Sequence, residues 1–144
     1  MGKLRIPGLI IYAFTLGILY AILGLIEFAL GLQHIHGSCS PLQWWIPIDL
    51  FGGLSNVVIG LTFLSSIRRF RELYDSLSYI LVATLMSTIF GTLYVLIALS
   101  NGFSSYLTGE EWNWMVDIRP EIWLSVASIP LTYRTWSVAR RVSK

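Results

Sequence analysis

Two groups of residues in this chain have the right types and spacing to do chemistry. The first centres on Glu27, the one carboxylate in the apolar stretch GILYAILGLIEFALGLQHIHG, residues 17–37. A charged side chain inside a membrane span costs about 2.5–3.5 kcal/mol on insertion scales, so such a group faces a bundle interior or water and finds a partner. Asn56, Asn101, Tyr20 and Tyr94 carry suitable hydrogen-bonding groups, and with Glu27 they read as a proton or cation site. The competing reading is a hydrogen-bonded glutamate that locks helix register. Asp49 is a further candidate, but with Pro47 opening a helix it falls at the third helical position, where free amides and the helix dipole already favour a carboxylate.

The second group is His34, His36 and Cys39, an H-x-H-x-x-C pattern whose ligand types suit zinc or copper, with Asp49, Glu110 or Glu111 nearby to complete a shell. The spacing matches no established metal motif. Two histidines one residue apart at a helix end cannot grip opposite faces of a haem inside a bundle, and no cofactor is expected. Cys39 is the single cysteine, so it forms no internal disulfide. G-x-S-x-G, P-loop, H-E-x-x-H and C-x-x-C patterns are all missing, as is a pair of intramembrane aspartates. Nothing here indicates an enzyme.

The elements that must position these groups are membrane helices. The 144 residues are 55% hydrophobic and only 12% charged, with a mean hydropathy of +0.68, a composition outside soluble globular proteins. Four segments approach the roughly 20 apolar residues that a span requires: Pro7–Leu32, Ile46–Ser65, Leu77–Ser100 and Glu121–Ala139. The expected fold is all-α, a single four-helix transmembrane domain covering residues 1–144. The first segment follows Lys3 and Arg5, but its apolar run is too long for a signal peptide and no A-x-A-like site follows it.

Basic residues gather on one side: Lys3 and Arg5; Arg68, Arg69 and Arg71; then Arg134, Arg140, Arg141 and Lys144. The positive-inside rule places both termini in the cytoplasm and the protein, multi-pass, in the cell membrane. Arg119 is then the only basic residue in the outer loops, and Trp44, Trp45, Trp112, Trp114 and Trp123 cluster near the outer interface. The basic groups are short and juxtamembrane, so topology and lipid headgroups account for them without a nucleic acid.

In a bilayer, helices associate by close packing and interhelical hydrogen bonds, which favours small residues at their contacts. The first helix carries Gly17, Gly24 and Gly31 at seven-residue spacing, and the third repeats this with Thr84, Gly91 and Ala98. The second presents Asp49, Gly53, Asn56 and Gly60 on one face, with Leu50, Phe51, Leu54, Val57 and Leu61 toward lipid. The fourth has a stripe of Glu121, Ser125, Ser128, Thr132 and Thr135. Seams recurring every 3.5 residues predict a left-handed bundle. A shift of 74 lays Gly17, Tyr20 and Glu27 over Gly91, Tyr94 and Asn101, as a duplicated hairpin with halves 1–73 and 74–144 would, in parallel orientation.

Two local features complete the pattern. Thr108 and Glu111 resemble a capping box for a short helix lying on the outer surface, with Pro120 beginning the fourth span. Pro130 should kink the fourth helix and free a backbone carbonyl. The polar inventory is small and the packing seams are extensive. The leading functional reading is therefore a small accessory or structural subunit, set in the lipid bilayer and packing against other membrane-protein subunits or copies of itself. The alternatives are an ion- or proton-coupled transport unit at Glu27, and an outward-facing metal-binding module at His34, His36 and Cys39.

Overall fold

The helix boundaries follow from a few local signals. Asp49 caps one helix, accepting the Gly52 amide on its side chain at 2.9 Å while its carbonyl takes the Gly53 amide at 2.9 Å. Pro120 occupies the first turn of another, where its missing N–H costs nothing. Gly109 ends a third with φ of 71°, the left-handed conformation that suits glycine after a helix C-terminus. The computed structural model describes residues 6–35, 49–68, 73–109, 111–112 and 119–142. Within them lie four helices: α1 (Ile6–Ile35), α2 (Leu50–Arg68), α3 (Leu73–Thr108) and α4 (Pro120–Val142).

Among the described residues, α1, α2 and α3 are long and apolar enough to cross a membrane. The fourth expected span is a helix of 23 residues, but Glu121, Arg134, Arg140 and Arg141 dilute its apolar character. Asp49 stands as the cap immediately before α2 rather than inside its first turn, because a short carboxylate satisfies the first amides best from the capping position. Thr108 is also placed differently. It is the last residue of α3, with its hydroxyl donating back to the Ser104 carbonyl at 3.1 Å, so it does not cap a following helix. Most of the expected surface helix, residues 110 and 113–118, lies outside the described residues.

The helices pack in chain order around a ring. Contact is most extensive between α1 and α2, then between α3 and α4, then between α2 and α3, and sparsest between α4 and α1. The buried core is Leu9, Ala13, Leu16 and Tyr20 of α1, Ile59 and Phe63 of α2, Leu77, Ile80 and Ala83 of α3, and Leu131 of α4. These positions keep the 3.5-residue rhythm read from the sequence. Tyr20 and Phe63 stack with ring centroids 6.1 Å apart.

Polarity is arranged opposite to that of a soluble protein. Glu27, Asn56, Ser66, Thr84, Ser87, Glu121, Ser128 and Thr135 are buried, while Ile22, Leu25, Phe51, Leu54, Leu61, Leu85, Leu96 and Trp123 are exposed. That distribution suits an apolar solvent: the hydrocarbon meets apolar side chains, and polar groups bond to one another inside. Phe51, Leu54 and Leu61 are on the outer surface as their spacing predicts, whereas Leu50 and Val57 are only half-buried.

Candidate functional site

Three polar layers stack along the bundle interior. The middle one holds Glu27 of α1, Asn56 of α2 and Glu121 of α4, all within 2% of complete burial. The Asn56 amide nitrogen donates to Glu27 Oε2 at 2.8 Å and to Glu121 Oε1 at 3.3 Å. One amide thus bridges two carboxyl groups, whose bonded oxygens can be no farther apart than the sum of those distances. The other two oxygens, Glu27 Oε1 and Glu121 Oε2, are buried without a hydrogen-bond partner among the described residues. A buried oxygen left unpaired costs the full desolvation of that atom.

Backbone geometry brings the two carboxyls together. Glu27 can face α2 closely because Gly24 and Gly53 remove the side chains between the helices: a Cβ on Gly53 would lie 3.0 Å from Glu27 Cβ. Glu121 reaches the same level because α4 starts deep, one residue earlier, at Pro120. By contrast α3 continues from Tyr94 to Thr108, about 21 Å further at 1.5 Å per residue.

A second layer, at the start of α2, surrounds Asp49. Its Oδ2 forms an ion pair with Arg119 Nη1 at 2.7 Å and accepts the Tyr94 hydroxyl at 3.2 Å, and the guanidinium lies 4.7 Å from the Tyr94 ring centroid. Burial alone would raise the Asp49 pKa, but the Gly52 amide and the Arg119 charge outweigh it and hold the carboxyl below its usual range. The Asp49 carboxylate likewise more than offsets the burial of Arg119, and raises its pKa.

The third layer, on the other side of the carboxyls, is a hydroxyl chain. Tyr20 and Ser87 oxygens are 2.6 Å apart, Ser87 donates to Ser128 at 3.1 Å, and Ser128 donates to the Ser125 carbonyl at 2.7 Å. A hydroxyl has one proton to give. With Ser87 and Ser128 committed, the Tyr20 proton must be the one donated to Ser87. Tyr20 and Glu27 on α1, like Ser128 and Glu121 on α4, are seven residues apart, so the hydroxyl and carboxyl layers are separated by about 10 Å.

Of the residues singled out from the sequence, Glu27 and Asn56 meet directly. Tyr20 bonds to Ser87 and Tyr94 to Asp49 rather than to Glu27. Asn101 lies exposed on the continuation of α3, two turns beyond Tyr94. Gly17, Gly24 and Gly31 face α2, where they meet Gly60, Gly53 and Leu50, and Gly91 faces Ser125 of α4. Ala98 is half-buried. His34 is exposed at the end of α1, while His36 and Cys39 lie outside the described residues. No group of three or more potential metal ligands occurs among the described residues.

Glu121, placed from the sequence in the polar stripe of α4, and Arg119, noted only as an isolated basic residue, were not counted among the site candidates. Glu121 directly follows Pro120 and reads as an ordinary first-turn carboxylate, although it also continues the Ser125–Ser128 stripe into the interior. Arg119 carried a fainter signal: a lone cation on the side where cations are depleted has a partner to explain it.

Comparison with known proteins agrees with this architecture. A family model described as the MJ0565 integral membrane domain matches residues 6–138, and the chain belongs to that family. It is 28% identical over 98 residues to MJ0565 of Methanocaldococcus jannaschii, a protein whose description reads uncharacterized. The match covers 67% of this chain and 65% of that relative, so the chain spans somewhat less than two thirds of its length. No solved structure matches.

Proposed function

We propose that this member of the MJ0565 integral membrane domain family binds and releases a proton at the Glu27–Glu121 pair, as one unit of a larger membrane assembly or homo-oligomer. The observation that carries the reading is the pairing itself: two fully buried carboxyls share one amide donor, and each keeps an unpaired oxygen. Two negative charges at that separation in a water-poor interior repel strongly, so a proton held between them relieves the repulsion and fills an empty acceptor. A structural lock needs only one carboxyl for the Asn56 amide. The second carboxyl is what favours proton chemistry.

Assembly with other subunits is supported by the outward part of α3, where Leu96, Leu99, Phe103, Tyr106 and Leu107 are all exposed. In this reading α4 crosses the bilayer with the other three helices and both termini are cytoplasmic, as the positions of Arg134, Arg140 and Arg141 favour. The two hairpins, α1–α2 and α3–α4, descend from a duplication.

The test is proton movement into reconstituted vesicles, followed with an internal pH dye under an imposed potential. Glu27→Gln and Glu121→Gln should fold and assemble like the parent and each lose most of the flux. Flux unchanged in both variants would exclude the carboxyl pair. A parent without flux, whose Gln variants assemble normally while Glu27→Leu does not, would leave only the subunit role.

A further inference from the structure

The sparse contact between α1 and α4 leaves a cavity at the end of the bundle where α1 begins, remote from the carboxyl layer. It measures about 260 Å3 and is lined by Gly8, Leu9 and Tyr12 of α1 and by Pro130, Leu131 and Arg134 of α4. Leu9 and Leu131 form its apolar wall, and Gly8 opens it further, since a Cβ there would touch nothing within 4 Å. The Tyr12 hydroxyl braces the rim by donating to the Ala127 carbonyl at 2.8 Å, close to Pro130. Arg134 is the only charged residue in the lining, and among the described residues no carboxylate pairs with it.

An apolar slot with one unpaired guanidinium at its mouth matches an amphiphile that has an anionic head and a hydrocarbon tail. Because the slot opens between helices that are exposed to hydrocarbon elsewhere, its surroundings supply such a molecule. We propose that this seam is a binding site for one anionic phospholipid, with its phosphate on Arg134 and the start of an acyl chain against Leu9 and Leu131. The charge does the selecting: a guanidinium takes a phosphate through paired N–H donors, and basic pockets between transmembrane helices on the inner side hold such headgroups. The cavity is too small for a whole lipid, so most of the tail runs outward along α1 and α4. Arg140, stacked 5.3 Å from the Trp136 ring centroid, is exposed outside the slot and adds only to the general surface charge.

The full chain would be purified in mild detergent from vesicles containing equal phosphatidylglycerol and phosphatidylcholine, and retained lipid identified by native mass spectrometry. The expected result is one phospholipid per chain, with at least a five-fold preference for phosphatidylglycerol. Arg134→Gln should abolish the preference while circular dichroism and melting temperature stay close to the parent. Gly8→Phe, which fills the slot without touching its charge, should abolish retention. Arg140→Gln should leave both unchanged. A phosphatidylglycerol preference in Arg134→Gln as strong as in the parent, retention in Gly8→Phe, or loss in Arg140→Gln equal to that in Arg134→Gln would overturn the site. Inorganic phosphate alone should not stabilise the protein; if it did so as strongly as phosphatidylglycerol, the site would be for a free anion and the lipid assignment would fall.

Discussion

Gly24 of α1 and Gly53 of α2 touch backbone to backbone. A Cβ on Gly24 would lie 2.7 Å from the Gly53 carbonyl oxygen, and a Cβ on Gly53 would lie 2.9 Å from that of Gly24. Neither position accepts even a methyl group unless the helices part. Gly24→Ala should therefore lower the thermal stability in detergent, by about 1–3 kcal/mol if overpacking behaves as in other cores. Leu25→Ala, on an exposed neighbour, should change little, and Gly8→Ala should be neutral or slightly stabilising because a helix favours alanine. A harmless Gly24→Ala beside a damaging Leu25→Ala would show the wrong face turned inward.

The Asp49–Arg119 pair should make stability depend on acid. The folded pKa of Asp49 lies below its unfolded value, so its contribution is complete above the unfolded value, near pH 4. It is lost as pH falls through the lower folded value. Asp49→Asn keeps a capping side chain but removes the charge, so it should lower stability at neutral pH and flatten that acid loss. Asp49→Ala removes the cap as well and should cost about 1 kcal/mol more. Melting temperatures between pH 2 and 7 check both; an unchanged acid profile in Asp49→Asn would remove Asp49 as its source.

Tyr20→Phe deletes the first donor of the hydroxyl chain while keeping the stacked ring. Hydrogen bonds between helices in membrane proteins average about 0.6 kcal/mol and reach about 1.7. A double-mutant cycle with Ser87→Ala should return a coupling in that range, and a value of zero would mean that the pair does not form in the bilayer.

Orientation is testable with thiol chemistry. Cys39 should react with a membrane-impermeant reagent in intact cells. A cysteine introduced as Lys144→Cys in a Cys39→Ser background should react only after permeabilisation. The reverse pattern would invert the topology.

Much of the bundle was legible because membrane packing writes itself into residue size. Gly17, Gly24 and Gly31 announce a close contact at seven-residue spacing, and the structure opposes them with Gly60, Gly53 and Leu50. Glu27 and Asn56 were legible for a related reason: a polar group among apolar neighbours must find another. What spacing could not show was vertical alignment between helices. Asn101 looks like a companion of Glu27 on a sequence shift, yet α3 carries it two turns past Tyr94, and Glu121 bonds to Asn56 instead because α4 begins beside that level, at Pro120. The end of α3 was misread for a local reason, since Thr108 followed by a glutamate three positions later fits a helix start as well as a helix end.

The glycine contacts at Gly24–Gly53 and Gly17–Gly60 also restrict how the protein can move. They sit one heptad apart, each fitting backbone into backbone, like two teeth of a rack. Side chains can rotate to let a helix slide, but backbone has no rotamers to yield. A piston stroke of α1 along α2 would have to clear a full seven-residue step, about 10 Å, before meshing again. The mesh thus opposes axial sliding of α1 along α2, whereas the seam between α1 and α4, where a Cβ on Gly8 would touch nothing within 4 Å, has no such backbone contact at that position.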